Sequence, residues 1–295
     1  MPPVAAIGCL LIFGVSVASV ISAGKVLVGE AGWSPLMLMG VQNIVAAGLV
    51  FCVSAALGQS GRAVLKHLPF FILSAACGIA FPQAIAFLVA PHLGAAMTSV
   101  TYLFPPLLTF VFALAFSMEK LDTSGVVAIL LGVLGGALLF WGQGLLPGAS
   151  KYWLGVALLA PVAQAGGNIY RSKYWPSGIP ILMFTAAILL ATGLMGFALA
   201  PLLGGAFAFP PISGRDGALI LGCIAAAGIG YSVFFYLQRR AGPVYVSQGG
   251  FVIAGFGALF GTLIFGEALA ATAIVGAGIV AIGICLFTVR AARKR

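Results

Sequence analysis

Acidic side chains are almost missing from this sequence, with five Asp and Glu against 14 Lys and Arg in 295 residues, and charged residues of both signs make up 6% of it. A soluble domain carries about 25%. So few charges cannot cover a water-facing surface. This excludes a globular enzyme in water, and equally a disordered or disulfide-rich secreted chain. Histidine occurs twice, at His67 and His92, and both fall in connections between apolar runs. Neither is placed to relay protons through a bilayer. Close cysteine spacing is missing too. Cys9, Cys52, Cys77, Cys223 and Cys285 each lie inside an apolar run with no C-x-x-C pair, which argues against a metal site or a disulfide framework. No metal or cofactor is expected. Neither G-x-S-x-G nor H-E-x-x-H occurs, and no acid or histidine lies at membrane depth, so an intramembrane enzyme lacks its chemistry.

Hydrophobic residues, 62% of the chain, and 41 glycines supply the rest. A bilayer span needs about 20 apolar residues. Cuts at charges, Pro/Gly clusters and polar gaps give ten apolar segments, near 4–24, 35–57, 68–89, 94–117, 122–142, 152–171, 178–201, 216–238, 243–265 and 270–289. The first has no basic residue before Lys25 and is too long for the core of a signal peptide, so it reads as a membrane helix. The fold class expected is an all-α membrane protein with ten transmembrane helices. The connections are too short for an extramembrane domain.

Basic residues orient the chain. With the N-terminus inside, Arg62, Lys66, Lys120, Arg171, Lys173, Arg239, Arg240, Arg290, Arg293, Lys294 and Arg295 fall in cytoplasmic connections, 11 against three outside, Lys25, Lys151 and Arg215. Both termini are then cytoplasmic. The net charge of +9 becomes an orientation signal and not a nucleic-acid surface.

The sequence also repeats at a constant offset of 148, pairing Gly94 with Gly242, Ser99 with Ser247, Phe112 with Phe260, Glu119 with Glu267 and Leu121 with Leu269. Lys25 with Lys173 extends the register forward. Five helices per repeat is an odd number, so residues 149–295 would enter the membrane from the side opposite to 1–148. That is an inverted-topology repeat, an architecture suited to alternating access.

The segment Gly94 to Phe140 contains Tyr102-Leu103-Phe104-Pro105-Pro106, then Glu119-Lys120-Leu121, then a Gly-rich helix, and Gly242 to Phe287 contains Gly266-Glu267-Ala268-Leu269. These segments resemble the two EamA repeats of the drug/metabolite transporter superfamily, and the resemblance spans nearly the whole chain. It implies export of small metabolites, amino acids among them, with an aromatic amino acid exporter branch ranked first. It also implies a solute site between helices 1, 3, 4, 6, 8 and 9. The second copy departs from the pattern, with Ile253-Ala254 where Pro105-Pro106 would fall, leaving helix breaking there to Gly249 and Gly250 beside Gly255 and Gly257.

Polar side chains at membrane depth are costly and face cavities or partner helices. The candidates for solute binding are Gln83, Tyr102, Gln164, Asn168, Tyr231 and Gln248, while Gln42 and Asn43 sit on a second helix read as peripheral. Pro82, Pro105, Pro106 and Pro161 withhold backbone donors and free carbonyls one turn earlier, marking breaks or gates together with Gly249 and Gly250. Glu119 and Glu267 each precede the first turn of the following helix, which suggests capping over proton coupling. Trp33, Trp141 and Trp153 fall at the outer boundary and Trp175 at the inner one, as an aromatic belt requires.

The function expected is a secondary transporter or facilitator exporting neutral or zwitterionic solutes across the bacterial cytoplasmic membrane. Its partners would be the solute and the bilayer, with no nucleic acid, and it would act as a monomer or weak homodimer. A proton-coupled efflux pump is the alternative; a membrane scaffold is a third class.

Overall fold

The computed structural model describes residues 3–120, 123–143, 151–202 and 209–293, which are helical nearly throughout, with no strand among them. Leu121, Asp122, Gly204, Lys294 and Arg295 lie outside the described residues, as do the side chains of Trp141, Gln143 and Cys285. In chain order come α1 (Pro3–Gly29), α2 (Pro35–Ala56), the short α3 (Arg62–Lys66) and α4 (Leu68–Ala75). A π-helical turn, Ala76–Ala80, leads into α5 (Phe81–Leu93). Then α6 (Ala95–Val100), a 3₁₀ turn at Thr101–Leu103 and α7 (Phe104–Ala115) form one interrupted rod. They are followed by α8 (Thr123–Gln143), α9 (Lys151–Ala157), α10 (Leu159–Lys173), α11 (Ile181–Leu202) and α12 (Gly214–Ala241). The chain closes with α13 (Pro243–Ser247), α14 (Gly249–Phe265) and α15 (Ala271–Arg293).

Six helical stretches among the described residues are long and apolar enough to cross a membrane. Burial differs from that of a soluble protein at both the surface and the core. Leu263 and Leu221 are 75% and 67% exposed, whereas Gln42, Asn43, Asn168, Thr185 and Arg171 are completely buried. Large apolar side chains cover much of the outside as well as filling the core, and amides are drawn inward, as in an α-helical membrane protein, because lipid solvates leucine and cannot solvate an amide.

Local sequence sets the helix ends. The α12 N-terminus is closed by a capping box, in which the Ser213 hydroxyl accepts from the Asp216 N–H and the Asp216 carboxylate accepts from the Ser213 N–H. Gly94 and Gly242 end α5 and α12 with φ of 83° and 87°, a region L side chains avoid, so both chain reversals depend on glycine. The interruptions follow the prolines. Pro82 has no N–H, and just before it the Phe81 N–H reaches five residues back to the Ala76 carbonyl, which makes the π turn. Pro105 and Pro106 likewise leave the carbonyls of Thr101 and Tyr102 without α-helical partners, and the 3₁₀ turn falls there. Leu158 separates α9 from α10 just before Pro161, and Gln248 separates α13 from α14 just before Gly249-Gly250.

In the packing, α2 lies along α11, α8 along α15, and α1 between α12 and α14, while α10 meets α5 and α7. At one end of the bundle an aromatic cluster fills the space between α4, α11 and α12. Trp175 stacks on Phe184 at 4.1 Å, and Phe184 meets Phe71 and Phe235 at 5.2 and 5.0 Å.

Candidate functional site

A cavity lies where α1, α5, the 3₁₀ turn and α12 converge. Its lining includes Ser16, Gln83, Phe87, Tyr102, Gly230 and Tyr231. Its volume is 20 Å³, room for about one water. Two larger recesses of 660 and 470 Å³ have linings that are apolar apart from Ser34 and suit lipid chains better than a polar solute.

Three of the six solute-binding candidates therefore meet at one point: Gln83, Tyr102 and Tyr231. Gln83 is fixed by a neighbour that the sequence reading set aside. Asn43 Nδ2 donates to Gln83 Oε1 at 2.7 Å and to the Met39 carbonyl at 2.8 Å. Far from being peripheral, α2 presents two fully buried amides, Gln42 and Asn43, to the interior. Pro105 and Pro106 position Tyr102 by forcing the 3₁₀ turn. The Tyr102 carbonyl that they free is met by Gly250, where a Cβ would overlap it, so α14 approaches as closely as backbones allow.

The other three candidates lie elsewhere. Asn168 belongs to a buried network around Arg171, whose Nη2 donates to Asn168 Oδ1 at 2.6 Å and whose Nε donates to Gln238 Oε1 at 3.0 Å. Gln238 Nε2 donates in turn to the Asn168 carbonyl at 2.9 Å and to Ser172 Oγ at 3.1 Å. Gln164, one turn before Asn168, is half-buried, and its Oε1 has no partner among the described residues. Gln248 stands at the N-terminus of α14 and does not line the cavity.

Arg171 corrects the charge assignment. Counted as a residue of a cytoplasmic connection in the orientation expected from the sequence, it is in fact completely buried in α10, so the expected bias becomes ten against three. The signal available in the sequence was the Asn168-x-x-Arg171 spacing, which puts an amide and a guanidinium on one helix face.

Glu267 brings a second correction. It does cap a helix, but a distant one. Gly266, left-handed at φ 64°, ends α14 and lets the Glu267 N–H return to the Gly261 carbonyl. The carboxylate then faces the N-terminus of α6, accepting from the Ala95 and Ala96 N–H groups at 2.9 and 2.7 Å, and pairs with Lys25 Nζ at 2.6 Å. Lys25 also sits 4.3 Å from the centre of the Phe265 ring. The counterparts at an offset of 148 are arranged differently. Glu119 is exposed with no ion pair among the described residues, and Lys173 lies over Phe116. The tryptophans depart from a simple belt as well. Trp33 is buried against Phe209, Trp153 stacks on His92 at 4.0 Å, and Trp175 belongs to the aromatic cluster.

No protein-family model and no curated protein matches the chain. In three dimensions it is similar to a solved crystal structure of a protein that is 17% identical, over 97% of each chain, with a TM-score of 0.67. At that identity the likeness shows the fold alone.

Proposed function

We propose that the chain is a secondary transporter or facilitator for small neutral or zwitterionic solutes, amino acids foremost, of the EamA kind. The observation that carries the reading is the cavity. Gln83, Tyr102 and Tyr231 converge on it inside an apolar bundle, and the helices that hold Gln83 and Tyr102 are interrupted within a turn of them. Helices broken at depth are where transporters bind polar solutes.

Two inverted five-helix repeats, 1–148 and 149–295, account for the recurrences at one offset. Gly94 and Gly242 share an unusual backbone conformation, and each opens a short helix that breaks before a longer one. The packed partners α2 with α11 and α8 with α15 are each other's counterparts at that offset. Both termini would face the cytoplasm of a bacterial cell. Neither the Lys25–Glu267 pair seated on α6 nor Trp175 and Phe184 of the aromatic cluster lines the cavity, and with room for about one water it must widen before a solute can enter.

No Asp or Glu lines the cavity, and the Glu267 carboxylate is held by three donors. Transport therefore follows the solute's own gradient. The test is counterflow of a panel of radiolabelled amino acids and metabolites in proteoliposomes. Flux is expected for a zwitterionic member, lowered at least tenfold by Gln83→Ala and Tyr102→Ala and unchanged by an imposed pH gradient. No flux for any member would remove the transporter reading, and accumulation driven by protons alone would replace it with proton-coupled efflux.

A further inference from the structure

Arg171 is a completely buried cation with no carboxylate beside it. The ion pairs among the described residues are Lys25–Glu267 and Arg215–Glu30, and neither involves it. Its acceptors are all neutral: Gln238 Oε1, Asn168 Oδ1 and, at 3.3 Å from Nη1, the Ser74 carbonyl at the mouth of the π turn. A guanidinium has five N–H donors. Three are engaged in these bonds, and two have no partner among the described residues. Asn168 Nδ2, on the amide that binds Nη2, and the hydroxyl of Ser74, whose carbonyl accepts from Nη1, are also buried without a partner among the described residues. The faces of Phe234 and Phe235, each 5.5 Å from Cζ, give the charge partial support.

A purely structural role explains this poorly, because removing water from a lone charge in a bilayer is costly and an apolar side chain would fill the space more cheaply. The place is informative too. Phe235 stacks at 6.2 Å on Tyr231, which lines the cavity, and meets Phe184 of the aromatic cluster, so Arg171 is one aromatic ring removed from the cavity.

We infer that Arg171, with Asn168 and Ser74, forms an anion subsite that receives the carboxylate of the solute. This rests on reading the cavity as the solute site. A carboxylate matches the chemistry better than a phosphate does. It presents two oxygens to the unmatched donors and balances a single positive charge, whereas a phosphate dianion would leave buried negative charge in excess.

Two carboxylate and amide pairs test the inference: acetate against acetamide and benzoate against benzamide, each added to the purified full-length protein in neutral detergent at constant ionic strength. The thermal unfolding temperature is expected to rise saturably with a carboxylate and not with its amide. Arg171→Gln should abolish the response. Because that variant can fail to fold, Asn168→Asp provides the second arm. It places a carboxylate oxygen where Oδ1 already accepts from Nη2, so the protein supplies its own counter-ion. Asn168→Asp should unfold at a higher temperature than wild type and show no carboxylate response. Equal stabilisation by the amides, no wild-type response to either carboxylate, or a full response in Asn168→Asp would each overturn the inference. Counterflow separates this from the transporter reading: a lost anion response with flux intact removes the subsite alone, and lost flux with the response intact removes transport alone.

Discussion

Glu267 joins three parts of the chain through one carboxylate: α14 that presents it, α1 through Lys25, and α6 through two backbone N–H groups. The ion pair is only partly exposed, with side-chain exposures of 23% and 15%, so it is screened less than a surface pair. Hydrogen bonds to a charged group contribute about 1.5–3 kcal/mol each. Glu267→Gln keeps one acceptor for α6 and loses the ion pair, so a loss of about 2 kcal/mol is expected from thermal unfolding in detergent. The charge-swapped double variant Lys25→Glu with Glu267→Lys separates the two roles. It restores an ion pair, yet a lysine at 267 cannot accept from the Ala95 and Ala96 N–H groups and brings positive charge to the positive end of a helix. It should be no more stable than Glu267→Gln. Full rescue by the swap would mean that only the ion pair matters.

Interruptions decide what the helices can hold. An uninterrupted rod through Pro105-Pro106 would have no 3₁₀ turn, and the Tyr102 carbonyl would be engaged inside the helix instead of facing α14. The contact with Gly250 then depends on the absence of a side chain. In Gly250→Ala the new methyl meets backbone, which cannot rotate away, so α14 must retreat from the turn. Overpacking of this kind costs about 1–3 kcal/mol. Gly255, in the same helix, has open space around its position. Gly255→Ala should leave stability at or above wild type, since alanine is the better helix former. Unfolding of the two variants under one set of conditions checks this, and equal losses would show that helix propensity, not the close approach, governs α14.

Across the whole molecule, the proposed orientation places Ser60 and Ile212 on opposite faces, and both are exposed. After replacement of the five cysteines, a membrane-impermeant thiol reagent added to intact cells should label Ile212→Cys and leave Ser60→Cys untouched until the membrane is opened. Labelling of Ser60→Cys alone in intact cells would invert the topology. Much of this architecture was legible in the sequence, because lipid demands long apolar runs and allows charges only at their ends, a one-dimensional constraint. The described helices lie within a few residues of the apolar segments, and Pro82, Pro105, Pro106, Pro161, Gly249 and Gly250 stand beside the π turn, the 3₁₀ turn and the breaks at Leu158 and Gln248, since a missing N–H or Cβ acts on its own turn. Partners across the bundle were not legible. Asn43 meets Gln83 over 40 positions, Arg171 meets Gln238 over 67 and Glu267 caps α6 over 172. Helical periodicity states which face a side chain occupies but not which helix lies opposite, and a basic residue two positions from a helix end reads the same whether it points to water or inward. By itself the sequence determined the class, the helices and where they break. Only the packing decided that Gln83, Tyr102 and Tyr231 share one cavity and that Arg171 is buried without a counter-ion, because both depend on contacts between distant segments that only tertiary folding brings together.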